Sequence, residues 1–501
     1  MSHFIRYNFI LFCLLLFVAS SCTDKWDEHN EITDLNLKDN LVSKIKNESQ
    51  LSIFSELLVK SGYDSVLLSS KNFTVWAPTN EALSSLDATV INNPALLRSF
   101  VGNHIAYNTY FTNMPNPLLQ LKALNGKNIV FTANAVDEFS IIKPNLPAYN
   151  GVLHIINGAI SPKQNIYEFL ISNSLASKQR DFILSLNYKV FDPTNGEIIG
   201  LDPKTGKPVY KAGTDSAVVN SYLNVANINN EDKLYTYVIL EDAAFEKEVT
   251  DLSGYFTTTA GGPVDTTALL TKKSIIKDLA FDGLYLPENL PDSLKSIDSV
   301  NVHLDKSAIV SSHRVSNGIV YVMKRVNYNV SAKLKPVIIQ GESLSALSIP
   351  TLAFGFYTRR DTDGISTYRQ VRGLNFAAAK SWYKYTATLN SVTYKVYWRA
   401  IRDFDLAPGP SGTPTYFPQR IAFKTFDAAD LPYMDVAAKE VLPAPATGPR
   451  VFVPNYDETY IGEYTVSKYG KENVFIVSNT VNTVGLNSIV LDYIKLVPVI
   501  K

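Results

Sequence analysis

Cysteine is almost absent from this chain. Only Cys13 and Cys22 occur in 501 residues, both near the start. Everything after them lacks a disulfide framework, a thiolate metal site or a thiol nucleophile, and must hold together by packing. Histidine is scarce too, with six copies. Excess charge is missing, because 47 basic residues cancel 47 acidic ones. That balance removes the usual electrostatic case for a nucleic-acid partner or a solvating acidic tail. Beyond the first 20 residues, no run is apolar for the ~20 residues that a membrane helix needs. Catalytic signatures are also lacking. "GESLS" (Gly341 to Ser345) has no second glycine for a hydrolase elbow, and "DPTNGE" (Asp192 to Glu197) has no second carboxylate for a calcium loop. What remains is rich in core material: 46% of residues are apolar and 28 are tyrosine. The length suggests about three domains.

The N-terminus has its own logic. Arg6 and the amine precede "FILFCLLLFV" (Phe9 to Val18), and small residues follow it. This reads as a secretory signal peptide, too short to span a bilayer. The exit Ala19-Ser20-Ser21-Cys22 resembles the lipobox of bacterial lipoproteins. The resemblance implies cleavage of residues 1–21 and acylation of Cys22, with several chains on one residue giving stable anchoring. Residues 22–40 read as a polar tether. The acidic cluster in "TDKWDEHNE" (Thr23 to Glu31) resembles the surface-export signal of Bacteroidetes lipoproteins, which implies an outer-membrane protein facing outward.

Farther along, Leu51, Phe54, Leu57 and Leu58 fall at helical spacing, with Gly62 as a stop. "FTVWAP" (Phe73 to Pro78) is a short strand pattern, and Thr79 can cap the helix that follows. Another helix is expected after Pro94. Asn125-Gly126 and Asn150-Gly151 mark turns into strands. "FTVWAPTNEA", "LLRSFVGNHI" (Leu96 to Ile105), "LNGKNIV" (Leu124 to Val130) and "NGVLHIINGAISP" (Asn150 to Pro162) together resemble the fasciclin domain, in the order and at the spacing of that family. The resemblance implies an α+β wedge of strands with helices packed around it, over residues 41–163.

The same pattern recurs. "YTYVILEDAAF" (Tyr235 to Phe245) takes the place of "FTVWAPTNEAL", and "NGIVYVMKRV" (Asn317 to Val326) that of "NGVLHIINGA". "SIIKDLAFDGLY" (Ser274 to Tyr285) fits the helix between them. Residues 164–329 thus resemble a second, divergent fasciclin domain, with turn-rich inserts at Asp192 to Ser216 and Thr257 to Thr267.

From 330 to 501 the texture is all-β. "WYKYTATLNSVTYKVYWRAIRDF" (Trp382 to Phe404) is two strands joined near Asn390-Ser391. Short strands with regular turns indicate a jelly-roll-like β-sandwich. "YIGEYTV" (Tyr460 to Val466) and "IVLDYIKLVP" (Ile489 to Pro498) resemble the last strands of carbohydrate-binding modules. The fold expectation is therefore a multidomain chain: two α+β fasciclin-like domains, then a sandwich.

Candidate site residues are few. His104, His154, His303 and His313 have no metal-ligand spacing, and hydrogen-bonded structural roles suit the first two. Trp382, Tyr394 and Trp398 read as core. The loop aromatics Tyr416, Phe417, Tyr456 and Tyr460 can stack on sugar faces, and Asp457 or Glu458 can accept hydroxyl hydrogen bonds. Five Asp-Ser/Thr triplets, such as Asp64-Ser65-Val66 and Asp298-Ser299-Val300, resemble the O-glycosylation site of Bacteroidetes secreted proteins. No catalytic residue, metal or cofactor is expected, and no nucleic acid. The family resemblance implies adhesion to glycan, matrix or another extracellular protein, with a place beside an outer-membrane glycan-uptake complex. Two alternatives stay open: a surface glycan-processing hydrolase, and a structural subunit of an envelope complex.

Overall fold

The computed structural model describes residues 38–113, 118–174, 176–258, 266–348, 354–361, 365–373, 380–400, 418–426, 439–440, 452–453, 457–478 and 488–500. The chain packs as two units. One runs up to Phe169 and includes Ile228–Tyr235 and Arg314–Ile319; the other holds the remainder.

The first unit is built on a seven-stranded sheet. Its strands are β1 (Phe73–Pro78), β2 (Ile105–Tyr107), β3 (Leu118–Lys122), β4 (Asn128–Thr132), β5 (Ala135–Val136), β6 (Phe139–Ala148) and β7 (Gly151–Ile156), in the order β2-β1-β7-β6-β5-β4-β3. β1 and β7 run parallel as interior strands, and every residue of both is buried. Burial on both faces explains why neither strand alternates in sequence. Val75 and Ala77 enter one core with Phe54, Leu57, Phe100 and Leu153, while Trp76 points to the other with Phe131 and Ile156. Helices cover the first face. Ser52–Lys60 buries Phe54, Leu57 and Leu58, and Pro94–Gly102 buries Leu97, Phe100 and Val101. The caps match the sequence: Thr79 accepts from the Ala82 N–H, and Asn93 from Ala95 and Leu96, just before Pro94.

One corner ties this unit together. Buried Asn150 accepts from the Leu41 N–H through Oδ1 (2.9 Å) and donates through Nδ2 to the Leu67 carbonyl (2.6 Å). Its own carbonyl accepts from the Phe73 N–H (3.0 Å). The next residue, Gly151, has φ +150°, and a Cβ there would stand 1.9 Å from the Phe73 carbonyl oxygen. The corner recurs farther along the chain. Asn317 accepts from the Ile166 N–H (2.9 Å), donates to the Ile228 carbonyl (2.9 Å) and receives the Tyr235 N–H (3.0 Å). A Cβ on Gly318 would again stand 1.9 Å from a carbonyl oxygen, that of Tyr235. A second echo sits one residue along each strand. The Thr74 hydroxyl bridges the Asn108 carbonyl and the Tyr110 N–H, as the Thr236 hydroxyl bridges Gly283 and Tyr285.

A four-stranded sheet joins Ala280–Asp282, Tyr235–Leu240, Gly318–Met323 and Ile309–Val315 in that order. By chain position this repeats β2-β1-β7-β6. The stretch Ser274 to Tyr285 is not one helix. The helix is Thr267–Ile276, and Ala280–Asp282 leaves it to pair into the sheet, where Ala280 and Phe281 are buried. Strand pairing and burial override helical propensity here. Buried Lys333 pairs with Asp278 where the chain leaves this region.

C-terminal to it lie two four-stranded sheets. One orders Val337–Gln340, Tyr493–Pro498, Thr393–Arg399 and Thr459–Thr465; the other orders Ala346–Leu347, Trp382–Leu389, Gly470–Val477 and Arg420–Phe423. A three-stranded sheet holds Phe354–Arg360, Thr367–Gly373 and Ile489–Leu491. Alternate residues are buried: Tyr383 and Tyr385 on one strand, Tyr394, Val396 and Trp398 on another. Trp382 is half-buried, stacked on Phe426 and edge-on to Phe475. The turn Asn390-Ser391 docks on residues 254–257. The Ser391 N–H donates to the Tyr255 carbonyl (3.0 Å) and its hydroxyl to the Gly254 carbonyl (2.9 Å), while the Thr257 N–H donates to Ser391 Oγ (2.8 Å).

Asn150→Ala leaves the Leu41 N–H and the Leu67 carbonyl buried and unpaired, at about 1–3 kcal/mol each. Urea unfolding should show a loss of about 2–4 kcal/mol, and Gly151→Ala a loss of about 3 kcal/mol through forced displacement of β1. Losses below 1 kcal/mol for both would mean that the corner is not structural.

Candidate functional site

Three neighbouring strands of the first C-terminal sheet bring six polar or aromatic side chains together. Pairing sets Tyr397 opposite Tyr460 on one side and Lys495 on the other; Arg399 lies opposite Tyr493. The register shifts between Val396 and Tyr397, so a bulge brings Tyr460 level with Tyr397. Residues two apart on a strand share a face. The outcome is two short rows: Tyr460, Tyr397 and Lys495, then Glu458, Arg399 and Tyr493. The Tyr397 and Tyr460 rings are 5.5 Å apart and tilted by 58°. Tyr460 is 49% exposed.

Hydrogen bonds fix the second row. Glu458 accepts from the Tyr493 hydroxyl (2.6 Å) and from Lys495 Nζ (2.9 and 3.0 Å). Burial alone would raise its carboxyl, but these two donors and the charges of Lys495 and Arg399 outweigh burial and hold it below the ordinary value. Tyr493 is pushed up to about 12, first by burial and then by Glu458. Arg399 donates to Asp361 (2.8 Å), lies 3.4 Å from an Asp492 oxygen and faces the Tyr368 ring at 5.1 Å. Burial raises Asp492 to about 7, although the Arg399 charge pulls the other way. Asp492 is 1% exposed, so this carboxyl faces Arg399 rather than solvent. The surface is amphipathic and electrically balanced. Tilted phenol rings offer a stacking platform, and a fixed carboxylate and ammonium offer an acceptor and a donor beside it.

Of the residues singled out by sequence, Asp457 lies exposed just ahead of this surface, and Tyr460 and Glu458 are part of it. Tyr416, Phe417, Tyr456 and Cys22 lie outside the described residues. Tyr397, Tyr493, Lys495 and Arg399 were missed. Their alternation along each strand was visible, but the register that unites them was not. Of the Asp-Ser/Thr triplets, Asp64-Ser65-Val66 lies within the helix Tyr63–Leu67.

His104 and His154 serve the fold. His104 Nδ1 bonds the Phe100 carbonyl (2.9 Å), and Nε2 accepts from the Ile160 N–H (2.9 Å). His154 uses the opposite tautomer: Nε2 bonds the Tyr110 carbonyl (2.9 Å) and Nδ1 accepts from the Asn145 N–H (3.2 Å). Both rings are neutral and have both nitrogens engaged. Among the described residues, no group of three His, Cys, Asp or Glu is arranged to hold a metal ion.

Residues 49–162 match the family model of the fasciclin domain. The chain therefore carries a fasciclin domain. The match includes Leu67, Phe73, Asn150 and Gly151 of the first corner, and both histidines, but not Leu41. Among solved structures, a FAS1 domain pair from the insect cell adhesion molecule fasciclin I is 16% identical; the alignment covers 56% of this chain and 98% of that one, with a TM-score of 0.22. The CBM36-1 domain of a multidomain xylanase, from the hindgut metagenome of Trinervitermes trinervoides, is 12% identical over 33% of this chain and all of that one, with a TM-score of 0.18. No curated protein matches the chain.

Burial lowers both histidines of the fasciclin domain to about 4. The unfolded chain takes up these protons near pH 6.5, while the folded domain resists until about 4. Stability is therefore full above pH 6.5 and falls as pH drops toward 4, by roughly 2–3 kcal/mol per histidine at pH 4.5. Urea unfolding at pH 7.5 and 4.5 measures this, and equal midpoints would contradict neutral, buried rings.

Proposed function

We propose that this chain is a non-catalytic, lipid-anchored protein of the bacterial outer membrane that binds glycan or matrix outside the cell. The observation that carries the reading is the fasciclin domain at 49–162, a module linked to adhesion. The repeated Asn-Gly corner and strand order support a second, divergent fasciclin-like domain over residues 164–329. Alternating burial in the C-terminal sheets supports a sandwich over 330–501. Its platform of Tyr397 and Tyr460 beside Glu458 and Lys495 suits a pyranose: the apolar ring face stacks on phenol, and hydroxyl groups exchange hydrogen bonds with the carboxylate and ammonium. Electrical balance favours an uncharged glycan over a polyanion. Two modules and a sandwich on one anchor allow several weak contacts to act together. A role beside an outer-membrane glycan-uptake complex follows from the same placement.

Two measurements test this. On a glycan array the chain should bind saturably, and Tyr460→Ala should weaken the bound glycan at least tenfold with unchanged melting. Absence of binding across neutral glycans would shift the reading to protein partners of the fasciclin domain. For the anchor, mass spectrometry of the membrane-extracted protein should find a mature chain starting at acylated Cys22. Cys22→Ser should release it to the soluble fraction, and a chain retaining residues 1–21 with an unmodified Cys22 would refute the anchor.

A further inference from the structure

The ion pair of Lys333 with Asp278 is almost fully shut off from water. Their side chains are 3% and 2% exposed, and Lys333 Nζ contacts Asp278 Oδ2. Lys333 ends the short helix Val330–Lys333, and Asp278 follows the helix Thr267–Ile276. The two residues lie 55 positions apart. Taking two charges out of water costs more than their attraction readily returns. Burial pulls the Lys333 ammonium below its ordinary range, although Asp278 pulls it up. A proton passed from nitrogen to carboxylate removes both charges and sets an amine against a carboxylic acid. A nitrogen in hydrogen-bond contact with a carboxylate stands about 3–3.5 Å from its carbon, the separation of a near-attack pair.

The neighbours suit the product of that attack. Asp278 Oδ1 accepts from the Ser296 hydroxyl (2.7 Å), and Lys333 Nζ donates to the Ser274 carbonyl. A secondary amide has one N–H and one carbonyl oxygen, so these two partners satisfy it. The ammonium carries three hydrogens. Asp278 and Ser274 take two of them, and the third is left with the Tyr328 ring, 5.0 Å away. Two further carboxyls act electrically on Lys333, those of Asp298 and Glu248. Asp298 is 47% exposed. Glu248 is part-buried and accepts from the Tyr328 hydroxyl, and burial raises its carboxyl above the ordinary value. Glu248 is therefore the group suited to passing a hydrogen within the protein.

We propose that Lys333 and Asp278 join as a side-chain amide, with Glu248 relaying a hydrogen. The Lys333 Nζ–Asp278 Cγ bond forms and the Cγ–Oδ2 bond breaks. One ammonium hydrogen protonates Oδ2, a second follows through Glu248, and the oxygen leaves as water. One N–H remains, and no oxidant is consumed. The link gives a region without cysteine a covalent tie that constrains its unfolded chain. Peptide mapping of the full chain by mass spectrometry tests this. The peptide bearing Asp278 should emerge joined to the one bearing Lys333, lighter than their sum by one water. Lys333→Met removes the nucleophile but keeps the length of the side chain, and should give no joined peptide. Glu248→Gln leaves both partners in place. In freshly made protein it should cut the joined fraction at least tenfold, with unchanged circular dichroism. Two results overturn the proposal: separate peptides from the folded wild-type chain, or a joined fraction in Glu248→Gln equal to that of the wild type.

Discussion

A buried asparagine followed by a glycine holds the rest of this structure in register. The amide of Asn150 carries one donor and one acceptor on a short arm, and both are used on backbone groups 83 and 109 residues away. Its own carbonyl then receives the first N–H of β1. Three distant parts of the chain thus meet at one residue, which offsets the entropy of closing long loops only because the groups joined would otherwise be buried unpaired. Glycine must come next, because the carbonyl of Phe73 occupies the space of a Cβ. With the corner set, β1 and β7 lie parallel, with Val75, Ala77, Leu153 and Ile155 in one core and Trp76 and Ile156 in the other.

Much of this was legible in the sequence, and the part that was not has a physical cause. "FTVWAP" and "YTYVIL" read as strands because continuous apolar runs suit a strand covered on both faces. Thr79 and Pro94 announced helix starts because capping and the fixed φ of proline are local. The Asn-Gly pairs were visible as turns, but their long-range bonds were not, since nothing near Asn150 names Leu41 or Leu67. The stretch around Ala280 resembled helix because its local pattern agreed with helix, and only the sheet edge beside it decides otherwise. The Tyr397–Tyr460–Lys495 row was the least legible. It depends on a bulge and on two pairings between strands far apart in the chain.

At the first corner, at the two histidines and around Arg399, costly groups are met by specific partners. Neutral histidines take opposite tautomers to suit the backbone groups around them. Arg399 sits among Asp361, Asp492 and tyrosine rings, so the surface above it carries polarity without a strong field. The glycan contact proposed for this surface would rest on shape and hydrogen bonding, with little dependence on salt.

The two corners also differ in when they can close during synthesis. The first needs nothing beyond Gly151, so its sheet can assemble while most of the chain is still unmade. The second leaves the Ile166 N–H waiting for Asn317, 151 residues later. At the usual ~5–20 residues per second, that gap lasts on the order of ten seconds. Through that interval a finished fasciclin domain precedes a length of chain whose central strand Tyr235–Leu240, apolar on both faces, has no Gly318–Met323 to pair with. Until residue 323 is available that strand has no parallel partner, so the second sheet is the later of the two to close.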